Sequence, residues 1–421
     1  MKRAGNVIPV GSMILVGSVI LVGSVILAGS MILVGSVIPV GSVIPVGSVI
    51  PVRSVILAGS ALLVGTATLP GTQSLTAQRP EPVRIQVADG IFLFRTAPYG
   101  EVGLDGNSIA IIGGDGVLVF DTNGTPSAAA AVLAHIRTLT TQPVRYIVNS
   151  HWHWDHWYGT EVYTKAFPDV KVIAHAKTKM MMAGPALDFN KPGLEQQLPA
   201  YLAQLEQRIA KAEAATPQPA NLPQLKQALA DGKFFLEQKN SVHHTLPNQT
   251  YTDRLTLRLG DREIQVMHHD RAITPGDSFL YLPKEKIVIA GDLLINPVTY
   301  ALSSYPTGWI KTLEYIDSLD ASIIVPGHGE PLRDEKLLKA TIAVLKDLQK
   351  RGADARTRGL DPDAARAEIM PQIKDLMVAI TGDQPAVNRA FETQLVDWFL
   401  HRVYDELNGP LTDAIAPIPP K

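Results

Sequence analysis

The chain has 421 residues, 46% of them apolar and 19% charged, with 38 basic against 40 acidic side chains and no cysteine. This length supports one large or two ordinary domains with a substantial core. The near-neutral charge argues against a nucleic-acid partner, which requires a basic surface. Without cysteine there are no disulfides, thiolate metal ligands, iron–sulfur clusters or cysteine nucleophiles, so any metal ion must be held by histidine and carboxylate.

Residues 1–78 differ from the rest of the chain in composition. From Gly11 onward a six-residue unit recurs. Its first two residues are mostly glycine followed by serine or threonine, and its other four are mostly Val-Ile-Leu-Val or Val-Ile-Pro-Val. Lys2, Arg3 and Arg53 are the only charged residues of this segment. The remaining 343 residues therefore carry 35 basic and 40 acidic side chains, a net charge of −5.

This segment is apolar enough for a membrane. Residues 13–34 are 22 consecutive uncharged residues without proline, long enough as a helix to cross a hydrocarbon layer of about 30 Å. We expect export or membrane association, with Ala77 as a candidate end of a processed leader. The alternatives are a hexapeptide β-helix, or a repeat expansion or mis-assigned start without a fold of its own.

The body of the chain starts with signals for an α/β fold. Short apolar runs separated by glycine-rich turns predict strands at 91–94, 109–112, 117–120 and 144–148. An alanine-rich stretch predicts a helix at 127–138, between the last two strands. Strand, helix and strand in this order favour an α/β arrangement.

The second half of the body repeats this pattern after a change of composition. Residues 185–240 are rich in Gln, Ala, Leu, Glu and Lys and predict a helical insertion, with Pro217 and Pro219 separating two helices. Strand signals return at 255–259, 263–267, 279–282 and 286–290, followed by a helix at about 308–318 and a strand at 323–325.

Three segments are expected from these patterns: residues 1–78, a main domain at 79–335 that contains the insertion, and a helical extension at 336–421. The pattern from 333 to 407 is helical, with apolar positions at helical spacing. We expect this extension to supply packing and a candidate dimer surface.

Three of the 11 histidines fall in residues 151–156, His-Trp-His-Trp-Asp-His, directly after a predicted strand. In an extended loop His151 and His153 project to the same side, whereas Asp155 and His156 point to a neighbouring volume. One loop can therefore serve two adjacent metal ions. Neutral imidazole and carboxylate in the absence of thiolate suit Zn²⁺.

This motif resembles the signature of the metallo-β-lactamase superfamily, hydrolases with an αβ/βα sandwich fold. Gly291-Asp292 resembles the family's turn whose aspartate bridges both metals, and Gly327-His328 resembles the strand-end turn that supplies the last histidine. Order and spacing fit over about residues 83–332. The resemblance implies an α/β sandwich of this type, here with a helical insertion and C-terminal helices.

The resemblance also implies a ligand set: His151 and His153 on the first metal, Asp155, His156 and His328 on the second, and Asp292 between them. One ligand is missing, because Ile273 stands where the family has the third histidine of the first metal. His268 or His269 could replace it. Otherwise a single ion at the second position remains, or the protein is a degenerate one that binds metal without catalysis.

The expected function is that of a zinc-dependent hydrolase with one or two ions, in which a metal-bound hydroxide attacks an ester, thioester, lactone or amide-type bond of a small molecule. Zinc lowers the pKa of bound water to about 7, and Asp155 is expected to orient the hydroxide and pass a proton to the leaving group. The motif does not choose among these substrates, and β-lactams represent one branch.

Two other functions of the same fold are alternatives. A site with two histidines and a carboxylate also suits non-haem Fe(II) and oxygen or redox chemistry. His153 counts against the diiron branch of the family, which usually carries glutamate there. A nuclease is disfavoured by the net charge of −5 and by the lack of a basic run.

Aromatic residues crowd the metal loop: Trp152, Trp154, Trp157 and Tyr158. We expect them to wall the substrate pocket, with one or two packing beneath the loop, which would suit a substrate with an apolar or planar part. Residues 296–305 are expected to edge the same pocket. Ser303, Ser304 and Tyr305 are predicted to be polar groups of that loop and not catalysts.

Overall fold

The structure is a computed structural model that describes residues 79–416 and contains two β-sheets. The first sheet has seven strands in chain order: β1 (Val83–Ala88), β2 (Ile91–Arg95), β3 (Ser108–Ile112), β4 (Val117–Phe120), β5 (Val144–Val148), β6 (Lys171–His175) and β7 (Gln249–Tyr251). The second has five strands in the order β12-β11-β10-β9-β8: β8 (Arg254–Leu259), β9 (Arg262–Met267), β10 (Phe279–Leu282), β11 (Ile287–Gly291) and β12 (Ile323–Pro326).

The N-terminal repeat lies outside the described residues, and so does the membrane or export role expected of it. None of the helices within residues 79–416 is both long and apolar enough to cross a membrane.

Parallel pairing decides where the strand ends lie. Strands β4 to β7 are parallel to one another, as are β11 and β12, whereas the other pairs are antiparallel. Parallel neighbours need a crossover, and the shorter crossovers here run through α1 (Pro126–Leu139), α2 (Thr160–Ala166) and α7 (Pro306–Asp317). The carboxyl ends of β4, β5 and β6 therefore meet at one edge of the sheet.

The two sheets pack face to face because their apolar residues alternate. In β4, Leu118 and Phe120 lie in the core between the sheets, whereas Val117 and Val119 point to the other face, into the core formed with α1 and α2. Strand β11 alternates in the same way between the central core and the outer helices. The layers are helices, sheet, sheet and helices, which confirms the predicted α/β sandwich.

A group of helices stands between β6 and β7: α3 (Ala176–Met182), α4 (Pro185–Pro192), α5 (Leu198–Ala214) and α6 (Leu222–Asn240). The last three occupy the range where the sequence predicts a helical insertion. Pro217 and Pro219 lie in the loop between α5 and α6, where neither can interrupt a helix. The buried side of these helices packs on the aromatic residues that follow β5.

The C-terminal part of the described chain is helical: α8 (Lys336–Thr357), α9 (Pro362–Ile369), α10 (Lys374–Thr381), α11 (Pro385–Ala390) and α12 (Asp397–Asn408). These helices share one buried core with α7 and with the outer face of the second sheet. Trp309 of α7 meets Phe399 of α12 edge to face, with ring centroids 5.9 Å apart. Strand β11, which leads to Asp292, is therefore backed by this helical layer.

Every strand predicted from the sequence is present, with bounds that agree within one or two residues. Three strands were not predicted, β1, β6 and β7. Strand β6 carries a readable signal, the apolar run 172–174, whereas β7 has only three residues.

Candidate metal centre

The candidate site lies where strands of both sheets end. Asp121 follows β4, the segment 151–156 follows β5, Asp292 follows β11 and His328 follows β12. Residues far apart in the sequence meet here because the sandwich brings these strand ends to the same edge. Asp155 and His156 lie on a short 3₁₀ turn, Trp154–His156, which turns both side chains inward.

Four ligand atoms converge at the second predicted metal position. The Asp155 Oδ2 atom lies 3.3 Å from His156 Nε2 and 3.1 Å from His328 Nε2. The Asp292 Oδ1 atom lies 3.3 Å from His156 Nε2 and 3.5 Å from His328 Nε2. A tetrahedral zinc site with bonds of about 2.0–2.2 Å separates neighbouring ligand atoms by about 3.3–3.6 Å. This donor set therefore matches a zinc ion in type and in spacing.

The first predicted position is less complete. His151 Nε2 lies 3.5 Å from Asp292 Oδ2, and His153 Nδ1 lies 4.0 Å from the same oxygen. Two groups have ligand atoms that all lie within 4.8 Å of one another: His151, His156 and Asp292, and Asp155, His156 and His328. His156 thus belongs to both groups, although the sequence analysis assigned it to the second metal alone. His153 belongs to neither group, and its Nδ1 atom lies 4.0 Å from Asp292 Oδ2.

Unpaired buried atoms at this point fit a cation. The Nε2 atoms of His151 and His156 and the Oδ1 atom of Asp292 are buried without a hydrogen-bond partner. Buried polar atoms are nearly always paired, so each exception needs an explanation. Lone pairs on imidazole and carboxylate that face the same point are explained by a shared metal ion.

The electrostatics of the site favour positive charge between the ligands. Burial alone would raise the pKa of Asp292, but His156 and His328 outweigh it and hold that pKa well below its usual range. Burial lowers the pKa of His328, yet the Asp292 and Asp155 carboxylates outweigh it and raise that pKa to about 9. The two carboxylates therefore stay ionised and attract either protons on the rings or a metal ion in their place.

Two residues that the sequence analysis missed orient the ligand rings. The Asp121 carboxylate lies 2.7 Å from His156 Nδ1 and also accepts hydrogen bonds from the Ser150 backbone N–H and hydroxyl, each at 2.7 Å. Because the Ser150 hydroxyl donates to Asp121, it accepts from His151 Nδ1 at 2.8 Å. Both rings are left with Nε2 bare and turned toward the ligand cluster. The available signal was an aspartate directly after a buried apolar strand.

Glycines leave room for the ligands. A Cβ atom at Gly327 would lie 2.0 Å from Asp292 Oδ1, and one at Gly106 would lie 2.4 Å from His156 Cε1. The glycine before His328 is therefore required because the bridging carboxylate occupies the space of its side chain.

Neither nearby histidine replaces the missing ligand. Ile273 is fully buried in the core under the second sheet. His268 stacks on His175 with ring centroids 4.1 Å apart, donates from Nδ1 to the Asp277 carbonyl at 2.9 Å, and lines a separate cavity of about 450 Å³. His269 stacks on Tyr315 at 4.4 Å. The first position keeps two histidines and the shared aspartate.

The aromatic residues of the loop do not wall a pocket. Trp152, Trp154, Trp157 and Tyr158 are 1%, 3%, 0% and 3% exposed, and they pack with residues of α4 to α6 such as Phe235. The expectation that they face the substrate is wrong, because the helical insertion covers the side of the loop from which they project.

The insertion also brings a buried cation behind the metal loop. The Lys239 ammonium of α6 lies 3.4 Å from the Trp154 ring centroid and 4.0 Å from that of Tyr158, and donates to the Gly124 carbonyl at 3.4 Å. Burial lowers the pKa of Lys239, although the Asp155 charge opposes the shift. Cation–π contacts of this kind tie α6 to the loop that carries Asp155.

In the loop after Asp292, Tyr300 is half-buried and stands edge-on to His153, with ring centroids 6.1 Å apart. Ser303, Ser304 and Tyr305 are buried, and two of them hold the C-terminal tail. Ser303 Oγ accepts from the Ala416 N–H at 3.0 Å, and the Tyr305 hydroxyl donates to the Thr412 carbonyl at 2.9 Å. This agrees with a loop role for these three residues.

Comparison with known proteins identifies relatives of the chain. The model of the metallo-beta-lactamase superfamily matches residues 102–328. A linear primary-alkylsulfatase of Pseudomonas sp. (strain ATCC 19151) is 21% identical over 271 residues, which cover 62% of this chain and 48% of that protein. The chain thus spans about half the length of this relative.

Solved structures resemble it as well. A metallo-beta-lactamase from Pontibacter korlensis is 17% identical, with a TM-score of 0.43 over 63% of this chain and 99% of that one. The metallo-beta-lactamase FIM-1 from Pseudomonas aeruginosa, in its mono-zinc form, is 14% identical, with a TM-score of 0.44 over 64% of this chain and 96% of that one.

Asp121→Asn tests the support behind His156. The amide keeps the shape but lacks the charge that orients the His156 ring, so we expect metal affinity to fall about 10- to 100-fold. Competition with a chelator measures this affinity. Asp115→Asn, an exposed aspartate that pairs with Arg145, is the matched control and should leave it unchanged. Equal affinities in both variants would contradict the role of Asp121.

Proposed function

This chain belongs to the metallo-beta-lactamase superfamily of metal-dependent hydrolases, and we propose that it binds zinc and hydrolyses an ester-type bond of a small-molecule substrate. The main support for this proposal is the geometry of four ligands. Asp155, His156, Asp292 and His328 direct four ligand atoms at one buried point with separations of 3.1–3.5 Å. Carboxylate and imidazole at this spacing suit Zn²⁺.

In this proposal the two predicted metal positions differ in their affinity for the ion. Asp155, His156 and His328, together with Asp292, hold the principal ion. The first position, with His151, His153 and the other oxygen of Asp292, lacks a ligand at Ile273 and binds a second ion more weakly. This difference is supported by the distances to Asp292 Oδ2, which reach 4.0 Å at His153.

The chemistry divides between the ion and the chain. When bound, zinc supplies Lewis acidity and lowers the pKa of a coordinated water to about 7. Asp155 stays ionised because His156 and His328 outweigh its burial and hold the pKa of its carboxyl below the usual range. Its carboxylate can therefore accept a proton from the attacking water and return it to the leaving group. Asp121 and Ser150 keep the imidazoles in the orientation that binds the ion.

The substrate class is proposed as esters, with thioesters, lactones and amide-type bonds as further candidates. The sequence match to a linear primary-alkylsulfatase adds sulfate esters to this group. Burial of the four loop aromatics removes the argument for a planar substrate. The loop at residues 296–305 remains the proposed border of the substrate site.

A redox function with iron is the second candidate. His151, His153 and Asp292 form a set of two histidines and one carboxylate, a ligand pattern that also suits non-haem Fe(II). The metal that the protein binds decides between the two candidates.

Metal analysis followed by a hydrolysis panel tests the main proposal. The full-length protein should hold one or more zinc ions and cleave at least one of an alkyl sulfate, a carboxylic ester, a lactone or a β-lactam. A chelator should abolish this turnover and zinc should restore it. His156→Ala should lose most of the metal, whereas His135→Ala, a surface histidine paired with Glu81, should keep it. Chelator-resistant turnover would contradict the proposal, and bound iron would favour the redox function.

Ile273→His tests whether the first position is merely incomplete. The added imidazole would supply the third ligand that the family has at this place, so the zinc content should rise toward two ions per chain. Elemental analysis measures the ratio, and Ile273→Val provides the control without a ligand atom. An unchanged ratio in Ile273→His would show that the missing side chain is not what limits the second ion.

We also propose that residues 1–78 direct the protein to a membrane or to export. The supporting observation is the run of 22 uncharged residues at 13–34. After expression of the tagged full-length gene, cell fractionation should recover the protein in the membrane or exported fraction. Its N-terminal sequence shows whether the leader is retained. Recovery of an intact chain in the cytosolic fraction would contradict the proposal.

A further inference from the structure

The cavity that His268 lines lies apart from the predicted metal ligands and has no assigned role. Its volume is about 450 Å³, which is within the range of small-molecule pockets. The wall combines the start of α3, the loop after β9 and residues 411–413, which follow α12. None of the six predicted metal ligands belongs to this wall.

Two cations of the cavity wall share one carboxylate. Asp413 forms an ion pair with Lys177 and a second one with Arg271, in which the charged atoms are 3.5 Å apart. The Asp413 side chain is 23% exposed, against 47% for Lys177 and 38% for Arg271. These three side chains together carry one positive charge in excess, around a position that already accommodates a carboxylate.

Arg271 is fixed by contacts on two sides. Its guanidinium carbon lies 4.6 Å from the centroid of the Tyr305 ring, and its Nη1 atom donates to the Leu411 carbonyl at 2.7 Å. Stacking on an aromatic ring orders the guanidinium plane. An ordered guanidinium loses less conformational freedom when it binds an anion, so this contact favours binding.

The other side of the cavity is aromatic and uncharged. The rings of His175 and His268 are stacked, with centroids 4.1 Å apart and an interplanar angle of 22°. Burial lowers the pKa of both imidazoles, that of His175 to about 4, so both rings are neutral at pH 7. Pro275 and Leu411 also line this cavity. The cavity therefore combines a cationic end with apolar and planar surfaces.

The segment that carries Asp413 is attached mainly by polar contacts. Residues 409–416 contain neither helix nor strand, and the Ala416 N–H donates to Ser303 Oγ at 3.0 Å. Ion pairs between partly exposed side chains contribute little free energy. A ligand carboxylate can therefore replace Asp413 on the two cations without a large loss of stability.

We propose that this cavity binds a small organic carboxylate, whose charged group takes the place of Asp413 between Lys177 and Arg271. A carboxylate is favoured over other anions because Asp413 shows that this pair of cations accommodates one, and because a guanidinium can bind both of its oxygens. The apolar or planar part of the ligand packs on the imidazole side of the cavity. The inference goes beyond the proposed hydrolysis, since the site contains no metal ligand and binding requires no turnover.

Calorimetric titration of sodium benzoate into the full-length protein tests the inference. Benzoate combines a carboxylate with a planar apolar ring. Lys177→Met should weaken its binding about threefold or more, whereas Asp413→Asn should strengthen it by a similar factor because the internal competitor loses its charge. Lys286→Met is the matched control, because this exposed lysine pairs with Asp320 and does not line the cavity. The control should bind benzoate as the wild type does.

Benzyl alcohol tests the need for charge. It keeps the ring but lacks the carboxylate, so it should bind about tenfold more weakly than benzoate or less. No binding of benzoate, no loss in Lys177→Met, no gain in Asp413→Asn, or equal binding of benzyl alcohol would each overturn the proposal. Benzoate held at the metal centre instead would bind equally to all variants, which also overturns it. Failure of the proposed hydrolysis leaves every one of these expected affinities unchanged.

Discussion

Buried carboxylates and bare imidazole nitrogens meet at one point of this protein, and such a meeting requires positive charge. Asp155 and Asp292 are each only 5% exposed, and an ionised carboxylate away from water is costly unless it is paired. The same carboxylates raise the pKa of His156 and of His328 against the effect of burial. A metal ion satisfies all four groups at once, and the surrounding structure is arranged around this requirement.

The sandwich meets the requirement by ending strands of both sheets at one edge. Behind the ligands, Asp121 and Ser150 decide which nitrogen of each ring is bare. In front of them Gly106 and Gly327 leave the space that the His156 ring and the Asp292 carboxylate occupy. These contacts hold the ligand side chains in place, so binding an ion requires little reorganisation of them. The six-residue motif at 151–156 can therefore serve a metal centre because residues at the other strand ends supply the remaining ligands and hold the rings in place.

Two helical additions decide which surfaces remain for a substrate. The helices α4 to α6 cover the loop aromatics and place Lys239 behind them. The C-terminal helices back the second sheet and bring Trp398 against Tyr300. The loop after Asp292 then lies beside the ligands, with the Tyr300 ring edge-on to His153. In the proposed reaction the chain contributes the Asp155 carboxylate for proton transfer.

The sequence by itself determined nine of the twelve strands found in residues 79–416, the α/β class and the six candidate ligands. Apolar alternation and turn residues are local properties, and a ligand motif keeps its residue types and order on adjacent loop positions. Only the tertiary structure decided that His156 lies in both ligand groups, that His268 and His269 turn away from the gap at Ile273, and that the loop aromatics are buried. It also revealed the contacts of Asp121 and Ser150 with the ligand rings. The physical reason is that the orientation and the burial of a side chain depend on contacts with elements distant in the sequence, such as α6 and α12. A local sequence pattern does not contain those contacts.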